Sequence, residues 1–331
     1  MAILVTGGAG YVGSHTVYAL IESGMTDQVI VADNLSTGHN GAVHPQAKFF
    51  DLDIRDRAAL DRLFDEEDIT GVIHFAASSQ VGESMEHPLK YYDNNLHGTQ
   101  VLLQAMVAAD VKHIVFSSTA AVYGEPDQIP ILEDSPTIPT NCYGETKLAI
   151  ERMMAWVSSA HGVSYVALRY FNAAGAHVSG QIGEAHNPET HLIPLILQVP
   201  NGQREKVFIF GEDYPTKDGT CVRDYIHVTD LAAAHILALN YLQAGGASDV
   251  FNLGNGVGFT VQEVIDIARR VTDHPIPADK APRRPGDPAT LVASSEKIKA
   301  KLGWNPQYAD LETIMETAWN WHKDHPKGYD R

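Results

Sequence analysis

The chain has 331 residues, of which 44% are hydrophobic and 20% are charged, and its formal net charge is −17. This hydrophobic content allows a substantial core, and the length predicts about two domains or one large α/β unit. The negative charge argues against nucleic acid and anionic membrane surfaces as partners, because both repel an acidic chain.

Short β-branched runs alternate with helical patterns through the first half of the chain. The runs are "AILVT", "QVIVAD", "KFFDLD", "GVIHFA", "HIVFSS" and "VSYVALRY". The helical patterns between them include a long helix from about Pro88 to Ala109 and a helix that opens near Tyr143. Such alternation predicts an α/β fold with a doubly wound parallel sheet whose strands are buried on both faces.

A glycine-rich loop follows the first strand and precedes a helix. In "TGGAGYVGSH", Gly7, Gly10 and Gly13 are spaced by three, with Tyr11 and Val12 between them. Glycine is required where the turn is tight, where the backbone approaches a pyrophosphate and where helix and strand pack closely. The loop therefore predicts a Rossmann-type dinucleotide site, and a structural glycine turn is the weaker interpretation.

The ends of the next strands predict further cofactor contacts. Asp33 lies 20 residues after Gly13 and is followed by Asn34. The carboxylate of Asp33 can accept hydrogen bonds from ribose hydroxyls, which favours NAD over NADP. Asp53 and Ile54 follow the third strand near the expected adenine, although either is also a routine strand cap. The fourth strand is followed by Phe75, Ala76 and Ala77, and the small residues there would let the backbone approach the cofactor.

Tyr143 and Lys147 are four residues apart at the start of a predicted helix. A phenol titrates near ~10, and a nearby ammonium together with the positive nicotinamide of NAD would lower its pKa. Tyr143 could then take a proton from a substrate hydroxyl while hydride leaves for the cofactor. The hydroxyl residues Ser117, Ser118 and Thr119 end the preceding strand, at the sheet edge where ligands bind. They favour this interpretation over an exposed helical pair.

Several motifs together carry a family resemblance. The glycine loop, "FSSTAAVYG", "YGETK" and "RYFNAAG" resemble the extended short-chain dehydrogenase/reductase superfamily. The later segments "FGEDYPTKDGTCVRDYIHVTDLA" and "RRPGDPA" resemble the UDP-glucose 4-epimerase branch, and the similarity extends over nearly the whole chain. The implied organisation is an NAD-binding domain over residues 1–175, with a returning contribution from about 224–256, and a smaller C-terminal α/β domain over 176–331, mainly for the nucleotide sugar.

The resemblance implies a role for each matching residue. Tyr143 is the base, Thr119 hydrogen-bonds the sugar hydroxyl, and Lys147 orients the nicotinamide ribose. The remaining cofactor contacts that it implies are Asn94, Ser117 and Tyr170. On the substrate side it implies Asn172, His191, Leu192, Phe208, Arg223, Arg284, Asp287 and Leu291.

The arginines also have a physical argument of their own. Guanidinium groups suit bidentate diphosphate recognition, and positive charge is scarce in this acidic chain. A surface salt bridge remains an alternative for Arg223, which precedes Asp224. His191 stands where the branch often has asparagine, and the intermediate size of Leu291 leaves open whether an N-acetylated hexosamine fits.

The implied reaction interconverts UDP-galactose and UDP-glucose. Tyr143 removes the C4 hydroxyl proton, hydride passes to NAD, the 4-keto sugar turns over, and hydride returns to its other face. A nucleotide-sugar 4,6-dehydratase or another epimerase of this kind is the nearest alternative, but Ala120 and Ala121 stand where dehydratases carry an Asp-Glu pair. A non-catalytic NAD-binding protein is less consistent with Tyr143 and Lys147.

The remaining expectations concern metals, compartment and assembly. The two cysteines, Cys142 and Cys221, are too few for a disulfide framework and lack the spacing of metal ligands. Most of the 16 histidines are expected to be structural, so no metal site is predicted. We find no basic leader and no apolar segment long enough for a bilayer, which favours a cytoplasmic protein. Excess apolar residues on the Pro88 to Ala109 helix and in "LAIERMMAWVSSA" predict a homodimer.

Overall fold

The computed structural model describes residues 2–284 and 288–329. Its strands are β1 (Ala2–Thr6), β2 (Gln28–Asp33), β3 (Lys48–Asp51), β4 (Ile69–His74), β5 (His113–Ser117), β6 (Ser164–Tyr170), β7 (Asn172–Ala174), β8 (Val207–Phe210), β9 (Val222–Arg223), β10 (Tyr225–His227), β11 (Asp249–Leu253), β12 (Phe259–Thr260), β13 (Ala278–Ala281) and β14 (Thr290–Leu291). Seven of them form one parallel sheet in the order β3-β2-β1-β4-β5-β6-β11. Strand order therefore reverses between β1 and β4, where doubly wound sheets bind ligands.

Helices cover both faces of this sheet, and further helices pack in the C-terminal half. They are α1 (Tyr11–Ser23), α2 (Arg57–Glu66), α3 (Val81–Glu86), α4 (Pro88–Tyr91), α5 (Gly98–Ala108), α6 (Cys142–His161), α7 (Leu192–Leu197), α8 (Val228–Gln243), α9 (Val261–Thr272), α10 (Glu296–Leu302) and α11 (Leu311–Asp324). Short 3-10 turns occur at Asn40–Ala42 and Ala120–Tyr123. Within the described part of the chain, none of the helices combines the length and apolar composition needed to cross a membrane.

The continuous apolar runs of the sequence arise because the sheet is buried on both faces. In β1, Ala2 and Leu4 belong to one hydrophobic core, whereas Ile3 and Val5 belong to the core on the opposite face. All five residues of β1 are buried, as expected for a central parallel strand. Side chains alternate between two cores, so neither face of the strand is free to be polar.

The C-terminal half contributes to two separate cores. Strand β11 pairs with β6 at the edge of the large sheet, and α8 packs on that sheet. Short pairings β13-β8, β10-β7 and β12-β9-β14, together with α7, α9 and α11, surround a third core that includes Ile196, Val264 and Met315. This arrangement places the small sheets beside the carboxyl edge of the large one.

The helix predicted from about Pro88 to Ala109 is present, but it contains a wider turn. Between α4 and α5, Tyr92–His97 form a π-helical segment. The buried Asn95 exchanges hydrogen bonds with the backbone of Ser78, at 2.8 Å and 3.0 Å, and donates to Thr146 Oγ1 at 3.2 Å. These bonds connect the loop after β4 to α6, and π segments often occur at functional sites.

A buried ion pair fixes α6 against the sheet. Glu151 Oε2 lies 2.5 Å from Arg169 Nη2, its Oε1 accepts from Arg169 Nε at 2.9 Å, and both side chains are almost fully buried. Ser118 Oγ also donates to Glu151 at 2.5 Å. Arg169 Nη1 donates to the Tyr123 hydroxyl, which donates to Asn252 Oδ1 of β11. The network thus holds α6 in register with the ends of β5, β6 and β11.

We predict that Glu151→Ala lowers the free energy of unfolding by about 3–5 kcal/mol, because it leaves the Arg169 guanidinium buried without its carboxylate. Urea denaturation followed by circular dichroism measures the change. Arg152→Ala, at the exposed neighbouring position, is the control and should change stability by no more than about 0.5 kcal/mol. Equal losses in the two variants would contradict this role for the ion pair.

Candidate functional site

A large cavity opens at the carboxyl ends of the parallel strands. Its volume is about 1060 Å³, and its walls combine the loops after β1, β2, β4 and β5, the start of α6, and segments of the C-terminal half. The sequence-predicted residues on its wall are Gly7, Gly10, Tyr11, Val12, Gly13, Asp33, Asn34, Ile54, Phe75, Ala76, Ala77, Asn94, Ser117, Thr119, Tyr143, Lys147, Tyr170, Asn172, His191, Arg223, Arg284 and Leu291. The cavity is large enough for a dinucleotide and a second ligand together.

The glycine loop forms a cradle in which side chains would clash. Gly7 has a φ of +74°, and a Cβ there would lie 2.5 Å from the backbone nitrogen of Ala76. A Cβ on Gly13 would lie 2.1 Å from the carbonyl oxygen of Gly7. Gly10 is the N-cap of α1 and provides no side chain to cap its first amides, so the helix N-terminus is open to an anionic group.

Asp33 is fixed at the end of β2 beside this cradle. Its carboxylate accepts from the backbone amides of Ala9 at 3.0 Å and Leu35 at 2.8 Å. Burial raises the pKa of Asp33, and the two amide hydrogen bonds partly oppose that shift. A carboxylate has about four acceptor positions, so Asp33 retains capacity for ribose hydroxyls.

Three predicted site residues lie off the cavity wall. Asp53 instead forms an ion pair with Arg55, at 2.7 Å, and accepts from Asn34 at 3.0 Å, and these contacts hold its pKa well below the usual value. Leu192 packs against the third core, and Phe208 is 42% exposed on β8, away from the lining. Asp287 lies outside the described residues.

Lys147 is buried at the base of the cavity. Its Nζ donates to the carbonyl oxygen of Ser117 at 2.8 Å and lies 4.7 Å from the centre of the Phe116 ring. The distance from Nζ to the centre of the Tyr143 ring is 5.8 Å. Burial lowers the pKa of Lys147 to about 7, against the opposing effect of Glu151.

The pKa of Tyr143 is raised in the chain alone, whereas the lowering predicted from the sequence includes the charge of bound NAD. Burial raises the pKa of Tyr143 to about 12, and only a side-chain hydrogen bond with Thr119 opposes the shift. Loss of solvent is the largest cause of the shift, because the charged phenolate is disfavoured in a buried site. A further positive charge in the cavity would favour the phenolate.

Other hydroxyls and small residues surround this tyrosine. Ser117 Oγ lies 2.6 Å from the Tyr170 hydroxyl, and Thr119 Oγ1 accepts from the amide of Ala121 at 3.1 Å. Ala120 and Ala121 also line the cavity and carry no ionisable group. The wall next to Tyr143 and Thr119 thus offers hydrogen bonds without charge.

The opposite wall is basic. Arg223 donates to the carbonyls of Val222 and Pro288, at 2.8 Å and 2.9 Å, and the Arg284 guanidinium lies 4.1 Å from the centre of the Phe210 ring. Asp224, the alternative partner considered for Arg223, is fully buried, and its carboxylate accepts from backbone amides. Arg204, which sequence analysis did not identify, lies on the same cavity wall.

Sequence analysis also missed three ionisable residues around His191. Glu184, His186 and Glu189 share the cavity wall with it, and the two glutamate side chains are 4% and 8% exposed. Burial opposes protonation of His191, but Glu184 and then Glu189 outweigh it and raise its pKa to about 10. The alternating acidic and histidine residues of "GEAHNPETH" are a signal from which the cluster could have been found.

Comparison with known proteins agrees with this geometry. The model of the NAD dependent epimerase/dehydratase family matches residues 3–254. A UDP-glucose 4-epimerase from Halalkalibacterium halodurans is 63% identical over 329 residues, covering 99% of this chain and 98% of that one. A crystal structure of a UDP-glucose 4-epimerase with 57% identity superposes with a TM-score of 0.98 and covers 100% of both chains. The Bifidobacterium longum UDP-glucose 4-epimerase in complex with NAD+ and UDP has 40% identity, a TM-score of 0.93 and coverage of 99% and 100%.

Proposed function

Because the chain belongs to the NAD dependent epimerase/dehydratase family, we propose that it interconverts UDP-galactose and UDP-glucose by transient oxidation at C4 with bound NAD. The observation that carries the proposal is one cavity that joins the glycine cradle, Tyr143 with Lys147, and a basic wall containing Arg223 and Arg284. Relatives of high identity over nearly the full length are named UDP-glucose 4-epimerase, which supports this reaction over others of the fold.

The residues present fit NAD. The cradle at Gly7 and Gly13 has no room for side chains, and the open N-terminus of α1 suits a pyrophosphate. The negative charge of Asp33 disfavours a 2′-phosphate. When bound, oxidised NAD supplies a hydride acceptor and one positive charge. The residues proposed to hold it are Gly7, Gly10, Tyr11, Val12, Gly13, Asp33, Asn34, Ile54, Phe75, Ala76, Ala77, Asn94, Ser117, Tyr143, Lys147 and Tyr170.

Tyr143 acts as the base in the proposed reaction. Burial raises the pKa of Tyr143 in the chain alone, and the positive charges of Lys147 and of bound oxidised NAD would both favour the phenolate. Thr119, which shares a hydrogen bond with Tyr143, holds the sugar hydroxyl from which the proton is taken. Lys147 is fixed by the Ser117 carbonyl and stays in place during the proton transfer.

Inversion requires a firm hold on the nucleotide and a loose hold on the hexose. Arg223 and Arg284 provide the charge for the diphosphate, with His191 on the same wall. The 4-keto sugar then turns over beside Asn172, Leu291 and the two alanines at 120 and 121, none of which is charged. Hydride returns to the other face of C4, and no net NAD is consumed.

The alternatives have less support. A 4,6-dehydratase needs an acid and a base to eliminate water, and Ala120 and Ala121 provide neither. A non-catalytic NAD-binding protein would not need a tyrosine and a lysine together in the cavity, and both are present.

We predict that the purified protein converts UDP-galactose to UDP-glucose without added NAD, and that Tyr143→Phe reduces kcat by about 10²–10⁴-fold while NAD stays bound. Separation of the two UDP-sugars by chromatography measures turnover. Tyr241→Phe, a substitution on α8 outside the cavity, is the matched control and should keep normal turnover. Accumulation of a 4-keto-6-deoxy sugar would exclude the epimerase, and normal turnover of Tyr143→Phe would exclude Tyr143 as the base.

We also propose that the protein is cytoplasmic and forms a homodimer. Each subunit would have an NAD-binding unit (1–175 with about 224–256) and a mainly nucleotide-sugar-binding unit (176–331). Support for the dimer comes from exposed apolar side chains, with Leu89 81% and Trp156 77% exposed. An apolar groove of about 540 Å³ between α5 and α6 is lined by Leu103, Val107, Met153 and Val157, among others. Pairing of these helices with a second copy would bury both features.

We expect light scattering to give the mass of a dimer at micromolar concentration. The double variant Leu89→Glu/Trp156→Glu should weaken the dimer, because it places charges in the apolar interface. Val257→Glu replaces another exposed apolar residue, 60% exposed, that lies in a loop outside these helices, and it should leave the mass unchanged. A monomeric parent protein, or a dimer of undiminished strength in the double variant, would refute the interface.

A further inference from the structure

Four metal-ligating side chains meet in the loop that precedes α7. We call Glu184, His186, Glu189 and His191 the 184–191 cluster. Their ligand atoms all lie within 4.8 Å of one another, and among the described residues they form a group that could hold a metal ion. The proton and hydride transfers proposed above use none of Glu184, His186 and Glu189.

The imidazoles and carboxylates of the cluster lie in direct contact. Glu184 Oε1 lies 3.0 Å from His186 Nδ1 and 2.8 Å from His191 Nδ1. Glu189 lies 3.2 Å from His191 Nδ1 through Oε1 and 3.8 Å from His186 Nδ1 through Oε2. An ion held by four donors at about 2.0–2.2 Å would separate them by roughly 3.3–3.6 Å. The four observed separations lie on either side of this range, so one ion could replace the ion pairs that now join the four side chains.

The backbone around the cluster is held in place from several directions. Trp321 Nε1 donates to the carbonyl of Glu184 at 3.0 Å, and His39 Nε2 lies 2.7 Å from the carbonyl of Ala185. Glu189 Oε1 accepts from the amides of Thr190 and His191, at 2.7 Å and 2.8 Å. Such outer contacts orient ligands before an ion arrives and reduce the entropy lost on binding.

The charges of the cluster also suit a cation. Glu184 and Glu189 are 4% and 8% exposed, and in the chain alone their negative charge is met by ion pairs with His186 and His191, a role that a divalent ion could take over. A divalent ion with two neutral imidazoles makes the set of four ligands electrically neutral. Two imidazoles and two carboxylates favour zinc or a similar transition metal, whereas calcium and magnesium prefer oxygen ligands alone.

We propose that the 184–191 cluster is a binding site for one divalent transition-metal ion, zinc-like in its preference, with Glu184, His186, Glu189 and His191 as ligands. The ion fixes the loop before α7 and adds positive charge to the cavity wall that carries Arg204 and Arg223. The proposal departs from the sequence-based prediction that no metal site is present. The inference does not depend on the reaction, because binding can be measured without turnover.

The test uses full-length protein made without a polyhistidine tag, stripped with a chelator and titrated with Co²⁺ and Zn²⁺. We expect one equivalent of Co²⁺ to bind with the intense visible absorption of tetrahedral cobalt, and Zn²⁺ to displace it. His186→Ala/His191→Ala should weaken binding by about 100-fold or more, since the loss of outer contacts alone costs 10–100-fold. His87→Ala/His97→Ala removes two exposed histidines and should bind as the parent does.

Other outcomes overturn the proposal. Absence of saturable binding by the parent protein would show that the imidazoles pair with the glutamates as protonated groups only. Binding unchanged by His186→Ala/His191→Ala would place the ion elsewhere, and octahedral, weakly absorbing cobalt would contradict a zinc-like shell of four protein ligands. The parent spectrum and stoichiometry decide the question even if that variant fails to fold.

Discussion

The packing of one face of α6 against the strand ends determines the geometry of the whole cavity. Tyr143, Lys147 and Glu151 follow one another at intervals of four residues, so they share that face. Lys147 is bonded to the Ser117 carbonyl, and Glu151 is bonded to Ser118 and Arg169. The buried side chains of Lys147 and Glu151 therefore anchor the helix to the end of strand β5, and Tyr143 lies one turn before Lys147 on the same face.

This anchoring has an electrostatic consequence. Because the face is buried, the pKa of Lys147 falls to about 7 and that of Tyr143 rises to about 12. Burial thus favours the neutral phenol in the chain alone, and an additional positive charge nearby would favour the phenolate. In the proposed reaction this couples proton removal to the oxidised cofactor, while the basic wall with Arg223 and Arg284 holds the substrate's diphosphate.

Local steric and periodic rules made much of the fold predictable. Any Cβ at Gly7 or Gly13 would clash, so only glycine fits there. The side chains of β1 alternate between two cores, so the strand is apolar from residue 2 to residue 5. Both constraints act on residue type directly and are therefore visible in the sequence. Features that depend on residues distant in the chain were not predictable in this way. The π segment around Asn95 depends on Ser78 and Thr146. Likewise, Asp53 accepts a hydrogen bond from Asn34, which follows a different strand, and lies off the cavity wall.

The same distinction applies to the chemistry. The spacing of Tyr143 and Lys147 identified the pair, but the direction of the tyrosine pKa follows from burial, which tertiary packing alone determines. The 184–191 cluster was visible only as scattered acidic and histidine letters, because a loop folded back on itself brings the ligand atoms together. The sequence therefore predicted the residues that line the cavity more reliably than it predicted their electrostatic state.

The most direct test of the account follows the hydrogen at C4. UDP-galactose deuterated at C4 is incubated with the purified protein in ordinary water, and the UDP-glucose formed is examined by mass spectrometry and NMR. The account predicts that deuterium remains at C4, because the hydride is removed and returned within one cavity. Loss of the deuterium to solvent would contradict transient oxidation with internal return.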